Sequence, residues 1–142
     1  MNNNVSEKVS ESVVIRVPFH DVDMMEVAWH GHYLKYFEIA RCALLDRIAY
    51  NYMEMKESGF AWPVVDLRVK YVRPARFGQD IRVTATVLEY ENRLVLEYLI
   101  EDVATGVKLT RGKTTQVAVS IDTGEMQLVS PPVLWEKLGI AA

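Results

Sequence analysis

Apolar and polar residues change their period along this chain, and the change divides it into two unlike halves. Ser12 to Phe19 is dense in Val and Ile, a β-branched run that predicts a strand, with Pro18 marking its exit. From Tyr33 the apolar positions recur every three or four residues: Tyr33, Tyr36, Phe37, Ala40, Ala43, Leu44 and Ile48. Leu34, Leu45, Ala49 and Tyr52 widen that stripe well beyond one narrow face. The pattern therefore predicts a helix reaching about Tyr50 and buried on most sides, with Cys42 as inert core. A short polar segment, Glu54 to Gly59, closes this half. Period two then takes over. Val65, Leu67, Val69 and Tyr71 alternate with Asp66, Arg68 and Lys70 until Pro74, and Ile81, Val83, Ala85 and Val87 alternate with Arg82, Thr84 and Thr86. Leu94, Leu96, Tyr98 and Ile100 form a third run after a hairpin tip at Glu91-Asn92. Thr105-Gly106 turns into a long strand from Val107 to Ile121. Ser130-Pro131-Pro132 predicts a short helical tail with Ser130 as its cap.

One strand, one long apolar helix and four antiparallel strands make an α+β arrangement. A helix too apolar to face solvent is buried if the sheet curves around it. The expectation is a curved five-stranded antiparallel sheet wrapped around one long central helix. Pairing two subunits edge to edge would protect an exposed edge strand.

Composition narrows the class. At 142 residues the chain suits one domain, expected over residues 12–142 behind a flexible extension over residues 1–11. A net charge of −3 gives no support for nucleic-acid binding, which favours a basic face. No apolar run is long enough to span a bilayer. Met1 to Glu11 lacks the apolar core of a signal peptide. Cys42 is the only cysteine, which excludes an intramolecular disulfide and a cysteine zinc cage. A reducing cytoplasmic setting is expected.

The candidate chemistry is concentrated in His20-Asp21-Val22-Asp23-Met24-Met25-Glu26-Val27-Ala28-Trp29-His30-Gly31-His32-Tyr33, which holds all three histidines. Carboxylates crowded beside a helix start suit acid/base or nucleophilic work, and the free N–H groups there suit a developing oxyanion. Asp23 reads either as a catalyst or as a turn residue bonding local backbone. Asp21 reads as a structural partner of loop N–H groups. His30 reads as a site residue or as helix-start packing, and His20 and His32 as polar packing or solvent groups. The histidine spacing fits no standard zinc pattern, so no metal and no cofactor are expected.

Phe19-His20-Asp21-Val22-Asp23, Trp29-His30 and Tyr33-Leu34-Lys35-Tyr36-Phe37-Glu38-Ile39-Ala40-Arg41 resemble the hotdog-fold thioesterases. The nearest groups are the hydroxybenzoyl-CoA thioesterases and the short acyl-CoA thioesterases associated with the Tol–Pal system. Pro74-Ala75-Arg76-Phe77-Gly78-Gln79-Asp80 resembles their turn between the second and third strands. The resemblance implies metal-free hydrolysis of an acyl thioester carried by coenzyme A or acyl carrier protein. It makes Asp23 the nucleophile or general base and the His30 backbone N–H the group that polarises the carbonyl. It puts Glu38 at an acidic position that shapes the pocket, and it implies a homodimer or homotetramer whose site is completed across a subunit boundary. Glu26 stands where the family often has Gly, a departure that bears on the loop's path and on the acyl group. Met24, Met25, Val27, Trp29 and Tyr33 are expected to wall an apolar pocket for medium to long aliphatic acyl groups, which suggests fatty acid metabolism. Arg93 is a candidate for a coenzyme A phosphate. A hydratase or dehydratase of acyl thioesters and a non-catalytic acyl-binding protein are the competing readings.

Overall fold

The computed structural model of the chain describes residues 9–28 and 31–140. Strands β1 (Ser10–Arg16), β3 (Val64–Tyr71), β4 (Asp80–Glu89), β5 (Leu94–Asp102) and β6 (Lys108–Gln116) form one antiparallel sheet in the order β1-β4-β5-β6-β3. Alternation decides which face turns inward. Ile81, Val83, Ala85 and Val87 of β4 and Leu94, Leu96, Tyr98 and Ile100 of β5 are buried, and their register partners share that face.

Helix α1 (His32–Arg47) lies against that face through Tyr33, Tyr36, Phe37, Ala40, Leu44 and Leu45. The closest fit is at its centre. Phe37 stacks on Tyr98 with ring centroids 4.6 Å apart, and its ring also covers Gly112 of β6. A Cβ at Gly112 would stand 2.5 Å from the Phe37 ring, so glycine is what lets the helix come this near. At the sheet's β3 edge, Tyr33 meets Tyr71 at 5.1 Å.

Several sequence expectations need correction. The helix ends at Arg47 because Ala49 turns left-handed (φ +56°) and the Tyr50 N–H returns to the Leu45 carbonyl. The helix is buried on one side rather than most sides: Leu34 and Ile39 are about two-fifths exposed, and Cys42 is exposed rather than core. Tyr52 belongs to a second helix, α2 (Tyr52–Glu57), where the sequence reading had only a polar segment. Asn51 and Glu54 cap it reciprocally. The long last strand is two: β6 stops at Gln116, and β7 (Val119–Ser120) pairs instead with β2 (Phe60–Ala61). β1 starts at Ser10, inside the expected extension, and after Pro18 the chain makes a 3-10 turn, Phe19–Asp21. Pro131, not Ser130, caps α3 (Pro132–Lys137); the Ser130 hydroxyl is buried without a partner. No helix among the described residues is long and apolar enough to cross a membrane.

The Phe37–Gly112 contact generates a stability prediction. Gly112→Ala forces the Phe37 ring off Tyr98 and should cost about 1–3 kcal/mol in urea unfolding, as overpacking does. A loss below about 0.5 kcal/mol would mean the helix can lift without cost.

Candidate active site

The 3-10 turn after β1 delivers Asp21 into the protein, where it is 1% exposed. Its Oδ1 accepts from Lys35 Nζ at 2.6 Å and its Oδ2 from the Tyr36 hydroxyl at 2.8 Å. His32 Nδ1 and His20 Nε2 each stand 3.7 Å from Oδ1. Burial pushes the Asp21 carboxyl up, but the bonds from Lys35 and Tyr36 and the charges of Lys35 and His32 outweigh it and hold the group below the ordinary range. Tyr36 moves the other way: burial, then the bond to and charge of Asp21, push its hydroxyl well up, so it stays a donor. Asp21 is thus structural, but through side chains of α1 rather than through the loop N–H groups expected from sequence.

Those N–H groups belong to Asp23. Its Oδ1 accepts from Met25 N at 2.8 Å and Val27 N at 3.4 Å, while its own N–H reaches the Val27 carbonyl at 3.0 Å. The turn role read for Asp23 from the sequence is therefore taken by one of its two oxygens. Oδ1 organises the loop, and Oδ2 takes no hydrogen bond among the described residues. Asp23 lines a cavity of about 540 Å3 with Val27, Ala28, Tyr33, Tyr71, Val72, Arg73 and Pro74. The loop is stitched to the turn between β3 and β4 by Ala28 N to Ala75 O (2.7 Å) and Phe77 N to Glu26 O (2.9 Å). Ala75 N donates to the Tyr33 hydroxyl at 3.0 Å. A carboxylate oxygen free at an apolar cavity can act as base or as nucleophile.

The other expected site residues are dispersed. Met24 is 98% and Met25 76% exposed, and neither lines the cavity. Glu26 is exposed too. It sits at φ +60°, the left-handed region that glycine enters without strain, and it is not among the walls of the cavity. Trp29 and His30 lie outside the described residues. Arg93 is held at the β4–β5 hairpin tip by Glu89 (3.0 Å). Glu38 is ion-paired to Arg41 and faces a second cavity of about 580 Å3, whose walls include Met55, Trp62, Pro63 and Gln116. Sequence reasoning missed Tyr71, Val72 and Arg73 as walls. Their only local signal was the end of an alternating run, while their meeting with Asp23 is a long-range fact.

Asp21 generates a pH prediction. A depressed carboxyl stabilises the fold at pH values above its unfolded value of about 3.9, and that stability is lost as pH falls through the lower folded value. Asp21→Asn should cost about 1–3 kcal/mol at pH 7. The gap to wild type should shrink below about pH 4. Urea unfolding across pH 2–7 measures both; a gap that stays constant with pH would contradict the charged, paired Asp21.

Residues 17–138 match the family described as the thioesterase-like superfamily. A Synechocystis protein named as a candidate esterase is 34% identical over 135 residues, covering 94% of this chain and 81% of its own. An acyl-CoA thioesterase of Haemophilus influenzae is 27% identical over 122 residues, covering 85% of this chain and 88% of its own. The crystal structure of a 1,4-dihydroxy-2-naphthoyl-CoA thioesterase from Synechocystis aligns with a TM-score of 0.80 over 92% of this chain and 96% of that one. At 19% identity that likeness concerns the fold. With most of its length matched and this sheet and helix beneath the match, the chain belongs to the thioesterase-like superfamily and has the hotdog fold.

Proposed function

We propose that the protein hydrolyses acyl thioesters carried by coenzyme A or acyl carrier protein, giving the free acid and the thiol. The observation that carries this reading is the Asp23 carboxylate, with one oxygen fixed by loop N–H groups and the other free at a cavity. Family membership supports the reaction class. Asp23 takes a proton from water as the water adds to the thioester carbonyl, or attacks that carbonyl itself to form an anhydride that water then opens. In both routes the C–S bond breaks and the thiolate leaves to be protonated. Backbone N–H at the start of α1, His30 by resemblance, polarises the carbonyl oxygen.

The site is read as a composite of two copies. β3 is an edge strand, and Val65, Leu67 and Tyr71 on it are 41–57% exposed, which leaves both hydrogen-bonding groups and apolar area uncovered. Antiparallel pairing of β3 with the same strand of a second copy sets opposite ends side by side. The Asp23 cavity lies at the C-terminal end, by Tyr71 to Pro74, and the Glu38 cavity at the N-terminal end, by Trp62 and Pro63. Each Asp23 would then face the partner's larger cavity, which takes the acyl group. Leu45, Met55, Phe60 and Trp62 give that cavity apolar walls. kcat/KM should rise with acyl length, by about 0.8 kcal/mol per buried methylene, until the space is full.

Two outcomes test this. Asp23→Asn keeps the loop's shape and should lower kcat on the order of a hundredfold, read by thiol release from an acyl-CoA series; near-normal turnover would remove Asp23 from the mechanism. Leu67→Lys should weaken the β3 edge and shift light scattering from a dimer towards a 16.3 kDa chain, with activity falling in parallel. A fully active wild-type monomer would refute the composite site.

A further inference from the structure

The Asp23 cavity does not end at Arg73. Arg73 and Pro74 are also walls of a neighbouring cavity of about 340 Å3, completed by Arg76, Gln79, Asp102, Thr105, Val107 and Leu109. Arg73 therefore stands between the two cavities, and Arg76 lines the second. Arg16, Arg41, Arg47, Arg68 and Arg93 each have an acidic partner within 4 Å. Arg73, Arg76, Arg82 and Arg111 have none among the described residues; of these four only Arg73 and Arg76 line these cavities, although a carboxylate lies in the same cavity. That carboxylate, Asp102, is already engaged: Oδ1 accepts from Gln79 Nε2 at 3.0 Å, and Oδ2 from the Thr105 N–H at 2.9 Å and hydroxyl at 2.7 Å. The turn bearing both arginines is rigidly referenced to the Asp23 loop. The Ala75 and Phe77 bonds hold it, Arg76 N donates to Gln79 Oε1 at 2.9 Å, and the Arg76 backbone bridges to Val27.

We propose that Arg73 and Arg76 bind the phosphate at the far end of the pantetheine arm of the thioester, and so select carrier-borne substrates over simple thioesters. This rests on the hydrolytic reading of Asp23. Guanidinium forks match phosphate oxygens in paired hydrogen bonds, and Arg76, with Arg73 beside it, lines the cavity next to the one that holds Asp23, where the far end of the arm can reach. The residue singled out from sequence, Arg93, is neutralised by Glu89 and lines neither cavity.

The experiment compares one acyl group on coenzyme A, on acyl carrier protein and on pantetheine, which lacks the phosphate, for wild type and for Arg73→Gln/Arg76→Gln. Wild type should show higher kcat/KM on the phosphate-bearing thioesters, and the double variant should lose roughly tenfold of that preference, with the loss shrinking at high salt. An equal loss on both carriers supports binding of the phosphate the carriers share; a loss on coenzyme A alone places the arginines at its additional nucleotide phosphates and overturns the proposal. A wild-type preference near one, or a preference the double variant keeps, overturns the proposal. Calorimetric binding of free coenzyme A and pantetheine runs beside it. If no thioester is turned over at all, hydrolysis by Asp23 fails, while equal coenzyme A affinity in the two proteins would independently refute the arginine site.

Discussion

A carboxylate removed from water must be answered by fixed donors, and Asp21 imposes that demand where it matters most. Lys35 and Tyr36 can answer it only if α1 stands in one rotation and at one depth relative to the turn leaving β1. Phe37, the next residue after Tyr36, then falls over Gly112, and Tyr33, one turn earlier, reaches Ala75 and Tyr71. The buried charge is thus less a source of net stability than a constraint on geometry. It fixes the helix start beside the loop whose second aspartate keeps a free oxygen. The two aspartates, two residues apart, end in unlike surroundings: Asp21 is enclosed with both oxygens bonded, and Asp23 is exposed with only one oxygen bonded among the described residues.

The two edges of the sheet, β1 and β3, are dressed differently. β1, itself an edge strand, is tied inward to β4 by an Arg16–Asp80 pair, and Arg47 of α1 reaches the Ser10 carbonyl. β3 at the far edge leaves Leu67 and Tyr71 partly uncovered, and the outer flank of α1 leaves Leu34 and Ile39 so. Tyr71 is also a wall of the Asp23 cavity, so part of this open apolar area adjoins it.

What the sequence made legible follows from which forces are local. Alternation along β4 and β5 identified their inward residues because one face of a half-buried strand must be apolar. The Tyr33-to-Leu44 spacing found α1 for the same reason. Its end was misread because Ala49 carries no sign of the left-handed turn it makes, and Cys42 was misread because periodicity cannot say which flank of a broad stripe meets the sheet. The helix α2 has a local signal in Asn51 and Glu54, a capping pair three residues apart, but its six residues are too few for an apolar period to declare itself. The split of the last strand depends on β2 finding β7, a non-local pairing no window contains. At the site, Asp23 stood out through its neighbours in sequence, whereas Arg73 comes to share a cavity with Asp23 only through folding.

The hydrogen bonds that join the Asp23 loop to the turn after β3 also set an order of assembly. On a ribosome the aspartates and the helix emerge early, but Ala75, Phe77 and Gln79, which hold the loop and the end of β1, belong to the second half of the chain. β1 itself has no sheet to join until β4 has been made, since Ser10 pairs with Thr86. The most chemically suggestive stretch of the polypeptide therefore spends much of its synthesis without a geometry. A nascent chain arrested before Ala75 would display every residue of the motif and no site.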